Sequence, residues 1–481
     1  MKIKKIELDN FRAYASANAD NYILLDDFNC IIGKNDVGKS TIFAALDLVL
    51  HQDNNVTEYD YNVKEKPILI TLSIEDVNQN YSSFVKDGVI TLRKEFSMNL
   101  QKNVSTFEYK ILDNSIFIPI SSLPSFSLTE LLPSLKVFKA DTPLAELQNL
   151  YIRQKCLIET RNLSKAISNL NFAEISGLKF KGATISFSCK EMVTSMDGKD
   201  IPLSNRGDGI LVNAKNLMFR NLAGFIVNED YVLAFEEPET HLHPSAHIEM
   251  YNTLKKLSDN NHYQVLMTTH SPFIVKELAQ DGKNNVIIVK QNDPTKSAEI
   301  INQKKERVIK NYVSMNEINY IAFDLPSVEY HIELFGYIHS KLIELFESDN
   351  AFQNEWKKLK KYDKDGNLVD VGSIKDVAAV DAWLVNANNI HIFNQLHIDC
   401  DNVWYKEDKS KNCFIKELKR SLPHCVRNYI DHPLKERERI ASNDNYNTAF
   451  DNNKQYADIK KIKLSINIMR NVILSNPQTF N

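Results

Sequence analysis

The sequence predicts an α/β fold with a mixed sheet, followed by a mainly α-helical C-terminal domain. Three observations predict it. An apolar run at Phe28–Ile32 leads through a glycine-bearing loop into the helically spaced apolar residues of Thr41–Leu50. From Tyr231 onward strand and helix patterns alternate: Tyr231–Phe235, Ser245–Leu257, Gln264–Met267, Pro272–Leu278 and Val286–Val289. Beyond about residue 312, apolar residues recur at three- and four-residue spacing over Val328–Phe346, Asn412–Ile430 and Tyr456–Leu474. Short apolar strands separated by helices favour a largely parallel sheet covered on both faces. Spacing of three and four lines apolar side chains along one face of a helix.

The remaining elements follow in chain order. Ile3, Ile6 and Leu8 roughly alternate with polar residues, and Tyr22–Leu25 is apolar, so two strands precede Phe28–Ile32. Ile68–Ile74, Val89–Phe96 and Phe107–Leu112 read as strands, and a Ser/Pro-rich break lies at Ser121–Pro133. Leu144–Leu170 reads as helix and 178–195 as strand again. Together these define an expected β and helical lobe, about 66–200, inserted in a head of residues 1–300. A composition shift near 292–312, marked by the polar, turn-rich QNDPTKSAE run, sets a domain boundary, and residues 312–481 form the helical domain. The polar Glu436–Lys454 segment reads as a surface loop.

With 481 residues, 43% of them hydrophobic and 25% charged, the chain is long and apolar enough for two or three folded domains. The opening MKIKKIELDNF interleaves charge with apolar residues, so it lacks the apolar core of a secretory signal. No stretch approaches about 18 uncharged apolar residues, so no membrane span is expected and the cytoplasm is the expected location. Six scattered cysteines without a CxxC pair suit a reducing compartment. A net charge of −4 supplies no global attraction for nucleic acid, leaving only local basic surfaces for that role.

Gly33-Lys34-Asn35-Asp36-Val37-Gly38-Lys39-Ser40 matches the phosphate-binding pattern GxxxxGK[ST], and Thr41 continues into the helix. Glycines let the backbone curl until successive N–H groups face phosphate, and the helix N-terminus adds partial positive charge. Lys39 suits the β- and γ-phosphates of ATP, and the Ser40 hydroxyl suits Mg²⁺. The apolar run Tyr231–Phe235 ends in Glu236-Glu237, two carboxylates at the edge of a central strand, where ligands of open α/β sheets bind. Glu236 is assigned to the metal, and Glu237 to the base that takes a proton from the attacking water.

The run FEEPETHLHP at Phe235–Pro244, followed by TTHSP at Thr268–Pro272, resembles the Walker B, D-loop and H-loop series of ABC-type ATPases, nearest the RecF, SMC and OLD-like branches. The resemblance implies that His270 contacts the γ-phosphate. Asn10-Phe11-Arg12 is similar to the NFR element of RecF-like heads, which implies that Arg12 approaches the nucleotide. Leu203–Gly209 resembles the ABC signature loop with one extra residue between Ser204 and Gly207, and with Asp208 where glutamine is usual. In the family that loop touches ATP on the opposite subunit, so the resemblance implies a homodimer with two sandwiched nucleotides, or a higher oligomer. Gln79 and Gln101 are the candidates for a Q-loop glutamine.

In the C-terminal domain, Phe414–His432 reads as a helix kinked or restarted at Pro423. Arg427 and His432 stand five residues apart, within about 140° on a helix surface. The spacing RNxxxH resembles the HEPN ribonuclease motif, in which arginine stabilises phosphate charge and histidine assists transfer from the ribose 2′-hydroxyl; a helix end or docking element fits the same residues. His397, Cys400, Cys413, His424 and Cys425 offer a zinc set with irregular gaps, and core cysteines account for them equally. Short ABC heads with helical tails resemble the PtuA ATPase subunit of Septu and retron antiphage systems, which works beside an HNH nuclease. That resemblance implies an ATPase that senses infection and holds a nuclease partner in check. The alternatives are a self-contained ribonuclease of the anticodon-nuclease kind and a RecF-like DNA-repair ATPase. An OLD-type fused nuclease is disfavoured, because no Toprim strand-acid pattern is evident past residue 320.

Overall fold

The computed structural model describes residues 1–15, 22–51, 56–75, 79–99, 104–123, 126–139, 193–196, 199–202, 230–240, 242–281, 285–291, 298–302, 307–310, 312, 314–362, 367–375, 378–386, 402–408, 413–431, 453–476 and 480. The chain divides into two compact units, Met1–Gln303 and Lys304–Asn481.

The first unit carries two six-stranded sheets. The antiparallel sheet runs β2 (Tyr22–Leu24), β1 (Lys2–Asp9), β4 (Ile68–Glu75), β5 (Ile90–Asn99), β6 (Val104–Asp113) and β7 (Ile116–Pro119). A register shift between Ile3 and Lys5 lets Ile3 and Ile6, three residues apart, both lie fully buried despite the period-two rule. Residues 68–119 extend the sheet begun by residues 2–24. Backbone pairing of β4 with β1 was invisible in the sequence because it joins strands some 65 residues apart. The Leu144–Leu170 pattern lies outside the described residues; within 178–202 only the short hairpin of β9 (Val193–Met196) and β10 (Lys199–Pro202) is described.

The second sheet has the order β14 (Glu299–Asn302), β13 (Asn285–Lys290), β3 (Phe28–Ile32), β12 (Tyr263–Thr269), β11 (Tyr231–Glu236) and β8 (Ser134–Lys139). It is parallel throughout except for the β13–β14 pair, so the expected mixed sheet is present. All five residues of β3 and all seven of β12 are buried, as strands covered on both faces require. Helix α1 (Lys39–Leu50) contributes Ile42, Phe43, Ala45, Leu46, Val49 and Leu50 to a single core shared by both sheets. Helices α2 (Pro244–Leu257) and α3 (Pro272–Asp281) complete the crossovers of the parallel sheet.

The second unit contains α4 (Met315–Phe323), α5 (Val328–Ser348), α6 (Asn350–Trp356), the hairpin β15 (Lys360–Tyr362) and β16 (Leu368–Asp370), α7 (Ala378–Asn386), the hairpin β17 (Asn402–Asp408) and β18 (Cys413–Arg420), α8 (Leu422–Asp431) and α9 (Ile459–Ser475). Its own core gathers Tyr330, Leu334, Ile338, Trp383, Cys425 and Ile466. The expected helix from Asn412 is corrected: Cys413–Arg420 pairs as a strand with β17, and the helix begins only at Leu422. Two causes act. Ser421 fixes the start, its hydroxyl oxygen accepting from the His424 N–H at 3.4 Å while its own N–H and hydroxyl donate to Asp381. Pro423, which lacks an N–H, is harmless in a first turn and costly anywhere later. No helix among the described residues is long and apolar enough to cross a membrane.

Candidate active site

The loop after β3 turns where its glycines permit. A methyl group at Gly33 would stand 2.3 Å from the Val289 carbonyl oxygen, so only glycine fits against β13. Gly38, the N-cap of α1, has φ of 101°, a left-handed conformation that costs other residues about 1–2 kcal/mol. Its would-be methyl also meets Ala13 at 3.2 Å, and the Tyr14 hydroxyl donates to the Gly38 carbonyl at 3.2 Å. The segment after Asn10-Phe11-Arg12 thus packs against the end of the loop. Lys34, Asn35 and Asp36 are exposed, Asp36 with φ of 62°, while Val37 and Thr41 are buried.

Lys39 is 5% exposed, and its ammonium donates to the carbonyls of Gly33 at 2.9 Å and Lys34 at 2.7 Å, holding the loop in an arc. Burial lowers its pKa from the ordinary lysine value, opposed by the negative charge of Glu237, Glu239, Asp36 and Glu236. An ammonium with little water around it and an unspent positive field is suited to a polyphosphate.

Successive residues of a strand point to opposite faces, so Glu236 and Glu237 should diverge. They do not, because the chain leaves the strand between them: Glu237 has φ of 43°. Its N–H donates to the Thr268 hydroxyl of β12 at 3.0 Å, which holds the turn. As a result the Glu236 carboxylate meets the Ser40 hydroxyl, while the Glu237 carboxylate lies 4.0 Å from the Lys39 ammonium and 3.4 Å from His270 Nδ1. Glu237 and His270 are 33% and 45% exposed, leaving room for water and a ligand. Ser40 and Glu236 are hard oxygen donors converging beside the loop, the donor chemistry that fits Mg²⁺.

Arg12 is paired with Asp60. Its Nε donates to Asp60 Oδ1 at 2.7 Å, and its guanidinium sits 5.1 Å from the Phe11 ring centre. Asp60 stays below the usual carboxylate range despite its burial, through hydrogen bonds from Thr57 and Arg12. Asn10 is structural: its side chain accepts from Val63 N–H and donates to the Val63 and Lys66 carbonyls. Ser204, Gly207 and Gln101 lie outside the described residues; Gln79 opens a short 3-10 turn over Gln79–Phe84.

Sequence reasoning passed over Asp60, Thr268 and Glu239. The third acid of EEPE was the available signal for Glu239: it is 3% exposed and bonds to the end of β12.

In the second unit, Arg427 stacks 5.5 Å from the Phe335 ring centre, and its guanidinium pairs with Asp431 one turn along α8. His432 lies outside the described residues, as do His397 and Cys400. Cys425 is fully buried in the core, and the His424 ring shares a 2.8 Å hydrogen bond with Asn428. Among the described residues no group of three or more His, Cys, Asp and Glu is placed to hold a metal ion.

Residues 1–130 and 128–275 match the family described as AAA ATPase domain (AAA_15). The Old nuclease of Escherichia phage P2 is 21% identical over 467 residues, covering 83% of this chain and 77% of that protein. A share of 83% exceeds what Met1–Gln303 supplies, so this likeness runs on into Lys304–Asn481. Among solved structures, the SMC head domain from Thermotoga maritima is 15% identical, spans 63% of this chain and 99% of its own, and superposes with a TM-score of 0.34. An SmcHead bound to the C-winged helix domain of ScpA is 14% identical, spans 64% and 100%, and gives 0.41.

Proposed function

The chain belongs to the AAA ATPase domain family, and from that premise we propose that it hydrolyses ATP with Glu237 as base, pairs its heads around nucleotide, and thereby controls a nuclease in antiphage defence. The carrying observation is the divergence from strand geometry at Glu237, which aims one carboxylate at Ser40 and the next at Lys39 and His270.

In this reading the N–H groups of Gly33–Ser40 and the Lys39 ammonium receive the β- and γ-phosphates of ATP. Ser40 and Glu236 would hold Mg²⁺, which when bound neutralises phosphate charge. Glu237 takes a proton from water attacking the γ-phosphate, and His270 donates a hydrogen bond to that phosphate while staying in register with Glu237. Arg12 bridges Asp60 and the nucleotide. Ser204 and Gly207 close over ATP on a second head, so that a homodimer sandwiches two nucleotides.

The nuclease link rests on the resemblance of a short head with a helical tail to the PtuA ATPase subunit and on the likeness to the Old nuclease. We take the effector to be a separate nuclease of HNH type. A second reading has an observation in its favour: the likeness to the Old nuclease extends past residue 303, which supports cleavage chemistry within the chain's own second unit.

Lys39→Ala removes a buried ammonium worth about 2–3 kcal/mol to bound phosphate, so ATP affinity should fall by roughly 100-fold. Unchanged affinity of a fluorescent ATP analogue in equilibrium titration would refute the loop assignment. Light scattering of the Glu237→Gln protein with ATP should show a dimer, and a monomer under those conditions would end the head-pairing proposal. Purification from the native host separates the two nuclease readings, through recovery of a nuclease partner or nucleic-acid cleavage by the isolated chain.

A further inference from the structure

The carboxyl of Glu239 is buried at the end of the parallel sheet, beyond the two acids assigned to hydrolysis. Its Oε1 accepts from the Thr269 hydroxyl at 2.5 Å and from the His270 N–H at 3.1 Å. The Thr269 hydroxyl oxygen in turn accepts from the Ser271 N–H at 3.0 Å. Ser271 Oγ is 2.8 Å from His247 Nδ1, and His247 Nε2 is 3.2 Å from the Leu242 carbonyl. The Leu242 N–H donates to the Glu239 carbonyl at 3.0 Å, closing the circuit. The turn after β11, with the first turn of α2 that follows it, is thus joined to the end of β12, some 30 residues further along the chain, in one ring of hydrogen bonds with His270 in its path.

Only the backbone of His270 is in the ring; its imidazole projects from it, 45% exposed, toward Glu237. Burying a carboxyl costs several kcal/mol unless it is hydrogen-bonded, and burial raises the pKa of this one against those bonds. Its other oxygen, Oε2, is buried without a hydrogen-bond partner among the described residues. A group held at that cost, with its contacts spent on the residues flanking an imidazole, serves geometry. At 3% exposure it is also closed to the water that Glu237 faces.

We infer that Glu239 is a positioning residue for ATP hydrolysis, acting through Thr269 and the His270 N–H to fix the imidazole against Glu237. This rests on the reading above that His270 serves the γ-phosphate.

The test is a double-mutant cycle between positions 239 and 270, with steady-state ATP hydrolysis and equilibrium binding of a fluorescent ATP analogue measured on the full chain. Glu239→Ala should lower kcat by 10- to 100-fold and leave analogue affinity within threefold. Glu239→Gln, which keeps an acceptor at Oε1, should restore kcat to within about fivefold of the parent. In a His270→Ala background, Glu239→Ala should add less than a twofold loss. Additive losses would overturn the positioning role while leaving His270 in place. A His270→Ala protein with unaltered kcat would overturn the reading of His270 and this inference with it. If Glu239→Ala fails to fold, the near-isosteric Thr269→Val removes the same anchor from the other side and enters the same cycle, with the same non-additivity expected and additivity counting against it.

Discussion

The two units each set acid beside base, yet do so with opposite consequences. At the end of β11, Glu237 stands 4.0 Å from Lys39 and 3.4 Å from His270, with a third of its side chain open to solvent. In the second unit, Glu317 is fully buried and Arg470 8% exposed, 2.9 Å apart. The Val308 N–H and the Tyr330 hydroxyl also donate to Glu317 Oε1, and Arg470 donates to the Tyr330 hydroxyl oxygen. The first cluster leaves charge open toward solvent, where it can act on a ligand. The second spends its charge internally and ties α4, α5 and α9 together. Openness, rather than residue type, distinguishes chemistry from scaffolding here.

That contrast can be broken most sharply at Glu237. Glu237→Gln should cut ATP turnover by about 10²- to 10⁴-fold while the thermal unfolding midpoint stays put, because an exposed base contributes little to folding. A matching loss of stability would place Glu237 with the scaffold instead. Arg470→Ala should do the reverse. Stranding Glu317 as an unpaired buried charge should cost about 3–5 kcal/mol in denaturant unfolding of the second unit. A cost below 1 kcal/mol would show that Glu317 is not relying on Arg470.

His331 sharpens the comparison through pH. Burial, reinforced by the nearby Arg427 charge, pulls its pKa to about 3, against 6.5 for an ordinary histidine. Between those values the unfolded chain binds the proton and the folded chain does not. The stability is therefore complete above pH 6.5 and drains away as pH falls toward 3, reaching about 2 kcal/mol lost at pH 5. Unfolding curves at pH 8 and pH 5 should show this loss, and His331→Gln should flatten it. Arg427→Ala gives the smallest effect: its Asp431 pair and Phe335 contact are partly solvated, so under about 1 kcal/mol should disappear from the denaturant midpoint. A larger loss would move Arg427 into the sealed class.

What the sequence alone determined is local. A full GxxxxGK[ST] pattern between an apolar run and a helical one places Gly33–Ser40, because the glycines and the helix start are dictated by neighbours within a dozen residues. The apolar runs at Phe28–Ile32, Tyr231–Phe235 and Gln264–Met267 likewise announced the central strands, and Val328–Phe346 announced α5. Only the tertiary structure decided which distant groups meet. Nothing local says that β4 extends the sheet of β1, that Cys413–Arg420 finds a strand partner in Asn402–Asp408, or that Glu239 reaches the end of β12. The turn at Glu237 is of the same kind. Its backbone is held by Thr268 from the adjoining strand, and hydrogen bonds between segments some 30 residues apart leave no periodicity for a sequence to record.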